Sequence, residues 1–576
     1  MFSFLPEDRD YTKWSIHNNT LSKLIPDTLL HIDPVTQHLF PDDILDNDGA
    51  VIDSPYQKKT NIPGVLILRG KTYGPVTKNS KTSKYYYKCV PYDKRLPNIL
   101  IPYRDKSTGF SKHKVNQYVL FKIDKWTDKH PVGTLTNVLG SVDKIECFND
   151  YQLYARNLAV SLQGFNKEVS KVLGQSAKYN NINKIIHNDT TLEDRRERKI
   201  YSIDPEGTTD IDDAIGIYQH QDTYTISIYI ANVPYWLDKF ELWAHLTERV
   251  STIYLPNKKV HMLPTKLSED ILSLLQDKER VAFVMDIVIS DDAVLDITFS
   301  AAKIKVTKNF AYEDKQLLKN KDYRQILSIT KRLIDNKKNI AYVDQIEDSH
   351  DVVEYYMLMM NHASANHLWN INKGIYRTVK NNTQQPISSP PPSELRSFIN
   401  IWKHTTSQYT TYQDHTGHTM IAGGIDKYLQ ITSPIRRICD IVNMTELLIS
   451  IGKINKTPAL SQTIIRIVEK IDYINQTSKN IRKVQTECNL LKYCLDMAGR
   501  NNVVDGYIID ITKKSNKIEY SVYIPSLGLN TKIKKQLQEE NSHIEYNLYD
   551  KYRFSVYVFT DEHSFHKKIR LMYDSN

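Results

Sequence analysis

Five cysteines, at positions 89, 147, 439, 488 and 494, are too few and too irregularly spaced for a disulfide framework or a zinc site. Such a chain belongs in a reducing compartment, and the cytoplasm is the expected location. Long apolar runs are missing as well. The most apolar stretch, residues 281–290, is interrupted by Asp286 and falls far short of the roughly 20 residues that cross a bilayer. No charged-then-apolar leader opens the chain, so a soluble protein without membrane association is expected. Histidine offers no metal motif: His362 and His367 are five apart, off the face that helical ligands four apart would share, and His415 and His418 lie in a polar stretch. No serine or cysteine nucleophile with a partnered base stands out. A nucleotide-binding P-loop is excluded too, because five residues, not four, separate Gly64 from Gly70-Lys71-Thr72, and those five are strand-like.

What is present is length and an uneven charge. A chain of 576 residues exceeds one core and predicts about three or four domains. The net charge of +9 conceals an acidic start, three Lys or Arg against nine Asp or Glu over residues 1–50, followed by a basic stretch, sixteen against four over residues 51–126. Charge alone allows a plain solvated face. Here aromatic residues are interleaved with it, as in Lys84-Tyr-Tyr-Tyr-Lys88 and Pro102-Tyr103-Arg104. Basic strands bearing stacking rings suit a single-strand-binding OB-type barrel, the cations meeting phosphates and the rings meeting bases. Apolar runs at 64–69, 85–90, 98–103 and 115–126, separated by turn residues, supply the strands. The richness in Asn, Ile, Lys and Tyr resembles the coding bias of AT-rich genomes, such as those of large DNA viruses or protists.

The densest chemistry lies in Asp204-Pro-Glu-Gly-Thr-Thr-Asp210-Ile-Asp212-Asp213, four carboxylates at relative positions 0, +6, +8 and +9. Tyr201-Ser202-Ile203 reads as a strand end, Pro205 and Gly207 as a turn, and residues 214–218 as the next strand, so the acids converge from one loop. Oxygen ligands without a nearby His or Cys suit a hard cation, magnesium or manganese, and clustered like charges call for one. The plainer alternative is a solvated acidic turn.

A second segment, Tyr428-Leu-Gln-Ile-Thr432-Ser433-Pro434-Ile435-Arg436-Arg437-Ile438-Cys439-Asp440, answers the first. Pro434 is expected to open a helix with Thr432 and Ser433 as caps, putting Arg436 at a helix start where a phosphate is readily held. A guanidinium grips two phosphate oxygens at once. Arg437 and Asp440, at helical spacing, read as a structural pair.

Together these motifs resemble the RNB family of exoribonucleases, which includes bacterial ribonuclease II, ribonuclease R and the catalytic subunit of the eukaryotic exosome. Ser251-Thr-Ile-Tyr254-Leu-Pro256, Met262-Leu-Pro264, Leu267-Ser-Glu-Asp-Ile-Leu-Ser273-Leu274, Glu279-Arg280-Val-Ala-Phe283, Phe310-Ala-Tyr312-Glu313, Glu354-Tyr-Tyr-Met357-Leu-Met-Met-Asn361 and Ile375-Tyr376-Arg377 follow in that family's order. The resemblance runs from about residue 60 to the C-terminus. It implies a multidomain α+β fold: an acidic extension over 1–50, a cold-shock-like OB-type β-barrel over 51–149, an α+β RNB catalytic domain with its connector over 150–500, and an S1-like OB barrel over 501–576. A long helical stretch through Ile464, Ile467, Val468, Ile471 and Ile474 is expected to continue to Leu495, and residues 381–393, with three prolines, read as a loop.

By the same resemblance, Asp204, Asp210, Asp212 and Asp213 would hold one or two Mg2+ ions, with Mn2+ an alternative, and Asp212 would be the acid closest to cleavage. Arg436 would clamp the scissile phosphate, and Glu487 would orient the terminal nucleotide. Tyr312 would stack on the 3′-terminal base, and Tyr254 on a base near the other end of the bound segment. The family commonly has Asp where this chain has Asn232, an aromatic at the place of Ile438, and a basic residue at the place of Cys488. The implied activity is magnesium-dependent 3′-to-5′ hydrolysis of single-stranded RNA to nucleoside 5′-monophosphates by a monomer. The alternatives are a catalytically silent RNB scaffold that binds RNA or protein, and a nuclease for single-stranded DNA.

Overall fold

The computed structural model describes the chain apart from residues 19–26, 77–83, 106–113, 175–181, 313, 337–338, 341, 344, 379–394, 396–406, 416–424, 426, 497–502, 515–516, 528, 537–545, 561–566 and 574–576. The loop expected over 381–393, Glu313 and His418 lie outside the described residues. The chain folds into two compact units, one of residues 1–159, 255–258 and 480–576, the other of residues 160–254 and 259–479.

In the first unit the acidic start is folded. Strands Trp14–Asn18, Phe2–Pro6, Ile44–Leu45 and Val51–Asp53 form a sheet in that order. The alternation in Phe2–Pro6 buries Phe2, Phe4 and Pro6 and leaves Ser3 and Leu5 half-exposed, as a strand with one covered face requires. Next comes a closed five-stranded barrel of Ile62–Leu66, Tyr85–Pro91, Ile99–Tyr103, Val132–Ser141 and Gln117–Lys125. Its side chains Leu66, Cys89, Ile101 and Phe121 share one core with Phe4, Phe40 and Leu45 of the acidic part. Each fully buried large apolar side chain contributes about 1.5–3 kcal/mol, so sheet and barrel stabilise each other. Gly64 sits in a barrel strand, where a Cβ would come within 2.7 Å of Cys89 Sγ. Packing, not phosphate, explains that glycine. Arg95 ties the two charged regions together through a bidentate pair with Asp42, at 2.8 and 3.0 Å.

The C-terminal strands order as Leu529–Gln536, Lys517–Ile524, Val503–Lys514, Lys551–Thr560 and Lys567–Tyr573, antiparallel throughout, around Ile508, Val522 and Phe554. Among the described residues this is a five-stranded sheet, whereas the first β domain is a closed barrel.

The second unit is built on a seven-stranded sheet in the order Glu193–Asp194, Ala293–Lys305, Glu279–Ser290, Thr223–Ala231, Asp213–His220, Tyr201–Asp204, Lys308–Ala311. The central strands Thr223–Ala231 and Glu279–Ser290 are buried along most of their length, consecutive residues from Ile226 to Ala231 and from Arg280 to Met285 being covered on both faces of the sheet. Tyr201–Asp204 pairs antiparallel with Asp213–His220 and parallel with Lys308–Ala311, where Asp204 faces Ala311. Asp204 therefore ends one strand where Asp213 begins its neighbour, and Tyr312 follows at the same end of the sheet. The expected long helix is interrupted at Lys470, giving Pro458–Glu469 and Ile471–Asp496. Lys470 caps the first helix, its N–H reaching the carbonyls of Ile467 and Val468.

Candidate active site

The acidic loop is pinned from below. Gly207 takes a left-handed φ of +78° and Thr208 N donates to Pro205 O at 3.1 Å, closing the turn. Beyond it, Ile211 N donates to Ser273 Oγ at 3.0 Å, Ser273 Oγ donates to Thr209 O at 2.8 Å, and Leu274 N donates to Ile211 O at 3.0 Å. Arg280 Nε holds Ser273 O in turn, at 2.7 Å. The motif segments around 267–283 thus brace the acids; they are not ligands themselves.

The four carboxylates split into two kinds. Asp212, 3% exposed, accepts from Ile435 N at 2.9 Å on one oxygen and from Arg436 Nε at 3.0 Å on the other. Burial pushes its carboxyl up to about 7, against the opposing pull of Arg436. Asp210 accepts from Tyr254 Oη and from Lys259 Nζ, both at 2.9 Å. Asp204 and Asp213 have no such cation bonded to them. Asp204 Oδ2 is buried and without a hydrogen-bond partner, and burial raises its carboxyl to about 6, with the Asp210 charge adding to the rise. Asp213 is pushed well above the carboxylate range by burial first, then by the charges of Asp204 and Asp212.

With no ion present, two of the four acids expected as ligands are engaged by protein cations. Among the described residues no three His, Cys, Asp or Glu side chains are arranged to hold an ion together. The physical reason is competition: Lys259 and Arg436 occupy Asp210 and Asp212. The remaining two acids do fit a hard divalent cation, being oxygen donors that repel each other, one of them with an unused buried lone pair.

The segment carrying Arg436 also differs from its expected form. Pro434–Arg436 is a turn, with Arg436 N and Arg437 N both donating to Ser433 O, and the helix begins only at Ile438. Arg437 is extended because its backbone bridges Ser251, while Thr252 N donates to Arg436 O and Ile438 N to Val250 O. Tertiary pairing overrides the proline's preference for opening a helix. Arg436 Nη2 rests on Ser433 Oγ at 2.9 Å. Arg437 pairs with the fully buried Asp440 at 2.7 Å, the structural role read from their spacing. Asn361 supports this segment from the helix Ser349–Asn370, accepting from Ile431 N and donating to Tyr428 Oη.

Tyr254 lies beside the acids, its hydroxyl on Asp210. Tyr312 adjoins Asp204 through its N–H, at 3.0 Å, and one ring face is already covered by His350, centroids 3.5 Å apart and planes 11° from parallel. Glu487 belongs to the other compact unit, where it accepts from Arg156 at 2.6 Å. Asn232, at the place of the family's usual acid, is a buried cap that accepts from Tyr235 N at 3.0 Å, a bond a neutral amide makes as well as a carboxylate. His362 and His367 are satisfied by Tyr342, Asn366 and Ser450. Lys259 and His350 were not legible in the sequence: Lys259 lies between two quoted motifs, and His350 precedes one.

A model described as the RNB domain matches residues 192–328, and one described as the Dis3-like cold-shock domain 2 matches residues 86–149. The DIS3-like exonuclease 2 of Schizosaccharomyces pombe is 30% identical over 237 residues, covering 39% of this chain and 25% of that one, so the alignment spans a quarter of the relative. Ribonuclease R of Chlamydia trachomatis serovar D is 21% identical over 526 residues, covering 74% of this chain and 73% of its own. Among solved structures, Mycoplasma genitalium ribonuclease R in complex with ribose methylated single-stranded RNA shares the fold, with a TM-score of 0.66, 14% identity and coverage of 99% and 100%. The acidic loop thus lies in a segment that matches the RNB domain, after one that matches a Dis3-like cold-shock domain, and the chain is similar to ribonuclease R and the Dis3 exonucleases.

Proposed function

We propose that the chain is a divalent-cation-dependent 3′-to-5′ exoribonuclease that shortens single-stranded RNA to nucleoside 5′-monophosphates. The observation that carries this reading is the Asp204 and Asp213 pair, two half-buried carboxylates with no protein cation bonded to them, beside an arginine half-exposed to solvent. Repelling acids held in this way cost stability unless a cation joins them. Asp204 and Asp213 would hold a magnesium or manganese ion, which supplies charge neutralisation and a more acidic bound water. Asp212 fixes Arg436 by its ion pair, so that the guanidinium approaches a phosphate in one orientation. Asp212, released by a phosphate on the guanidinium, would be a further oxygen donor to such an ion. Lys259 holds Asp210 in the same manner.

Tyr312, at the same end of the sheet, offers a ring for the 3′-terminal base, with His350 as its backing on the other face. The basic barrel would track the strand's phosphates and keep the substrate single-stranded. The four acids and Arg436 are all retained, which favours an active enzyme over a silent scaffold. The identity of the released product tests the reading. Incubation of body-labelled RNA with protein and Mg2+ should yield nucleoside 5′-monophosphates, and a chelator should abolish their release. Release of 3′-monophosphates, or undiminished release under chelation, would sink it.

A further inference from the structure

A small cavity of about 30 Å³ opens in the second unit where Val250 meets Ile438, the two residues whose backbone bond, Ile438 N to Val250 O at 3.0 Å, helps hold the Arg436 turn. A water needs about 10–15 Å³ of such space, so one compact group fits there and a base or a nucleoside does not. The wall is cationic. Arg249, Arg466 and Lys470 line it, and Glu248 is the sole carboxylate among the described residues of the wall. Lys470 Nζ already engages that carboxylate, at 2.6 Å.

The two arginines have carbonyls for partners instead. Arg249, half-buried, donates Nε to Val160 O at 2.8 Å and Nη1 to His261 O, and Arg466, half-buried too, donates Nη2 to Leu246 O at 3.0 Å. Carbonyls carry no net charge to match a guanidinium. Burial pushes Arg249 below its ordinary value, with no acid pulling it back. Arg466 and Lys470 are four residues apart as well, the spacing at which like charges on one helix face repel. Half-buried cations gathered without matching acids cost stability, and a cavity among them calls for an anion from solution. Its class follows from the donors, since guanidinium forks and an ammonium suit phosphate oxygens.

We propose that this cavity binds one phosphate group, as inorganic phosphate or as the phosphate end of a phosphomonoester, and that its occupation steadies the Arg436 turn. Arg249 is followed directly by Val250, Ser251 and Thr252, whose backbone pairs with Ile438, Arg437 and Arg436. An anion that fixes Arg249 therefore fixes the backbone from which Arg436 extends, and the coupling is reciprocal. The site goes beyond the hydrolytic reading and stands without it, because binding is measured in EDTA with no RNA present.

The full chain is titrated by calorimetry with inorganic phosphate and with AMP, sodium chloride holding the ionic strength constant, and thermal midpoints are taken alongside. Arg466→Met and Lys470→Met each remove one charge from the cavity and keep the side-chain stem, whereas Arg436→Met removes the guanidinium beside the acidic loop. Phosphate should bind saturably to the wild type and to Arg436→Met, raise the midpoint of both, and bind about tenfold more weakly to the two cavity variants. AMP following the same pattern assigns the site to phosphomonoesters, and binding of inorganic phosphate alone assigns it to the free anion. Loss of binding in Arg436→Met with full retention in the cavity variants would place the phosphate at Arg436 and overturn the proposal. Equal affinities in all four proteins, or no saturable binding to the wild type, would overturn it as well.

Discussion

Two halves of one acidic loop are treated oppositely. Asp210 and Asp212 are buried acids, each with a protein cation and a second donor within 3.0 Å. Asp204 and Asp213, from the same ten residues, are half-buried and have no protein cation bonded to them, and Asp213 carries the added charges of Asp204 and Asp212. Folding alone explains the first pair, since a buried charge is tolerable when matched by an opposite charge and hydrogen bonds. It does not explain the second. An uncompensated pair persists where function requires it, and the strain is offset elsewhere, here by the braces from Ser273 and Arg280.

The comparison is broken or sharpened most strongly by neutralising one acid from each half. Asp213→Asn should cut RNA hydrolysis by orders of magnitude while raising the cation-free thermal midpoint by about 2 °C or more. Asp210→Asn should lower that midpoint by a similar amount, because Lys259 loses its partner. Thermal melts in EDTA read both, and midpoints that move in the same direction would erase the distinction between the halves.

Lys259→Met gives a smaller effect from the other side. It strands Asp210, so the cation-free protein should lose about 3 kcal/mol, and saturating Mg2+ should restore part of that. An unchanged chemical-denaturation midpoint would show that Lys259 does not compensate Asp210.

Acidity sharpens the comparison more gently. The carboxyls of Asp204 and Asp212 are raised to about 6 and about 7 in the folded chain. Between the ordinary carboxylate range and those values the folded state binds more protons than the unfolded one. Metal-free stability is therefore greatest below that window and is lost as pH rises through it. A divalent cation competes with those protons, so its stabilising effect should be larger at pH 8 than at pH 5. A shift in midpoint on adding Mg2+ that is equal at both pH values would contradict the raised carboxyls.

The smallest effect concerns product length. Tyr312→Ala removes a stacking face but no acid, so hydrolysis should continue and the limit product should lengthen or become heterogeneous, whereas Tyr312→Phe should match the wild type. Sizing the end products of the three proteins decides it, and identical lengths would remove Tyr312 from substrate positioning.

Much of this was legible in the sequence because motif spacing and strand patterning survive folding. The barrel strands lie within about three residues of the apolar runs that marked them, and the Asp loop sits between the strands expected. Arg437 and Asp440 are paired as their spacing implied. What was not legible depends on partners distant in sequence. Pro434 fails to open a helix because Arg437 is drawn into a bridge with Ser251. Lys259 neutralises Asp210 across some fifty residues, which no local pattern reveals. The fold of the acidic start was hidden for a similar reason: Phe2, Phe4 and Leu45 are too sparse to imply a core of their own, and they borrow the barrel's.

The central claim is that the Asp204 and Asp213 half cleaves RNA from its 3′ end. A time course on 5′-labelled single-stranded RNA in Mg2+, with the wild type and Asp204→Asn side by side and binding measured in parallel, tests it most directly. The wild type should shorten the strand stepwise with the label retained, and Asp204→Asn should bind the same RNA and leave it intact. Equal shortening by both proteins, immediate loss of the 5′ label, or no shortening by the wild type would contradict the account.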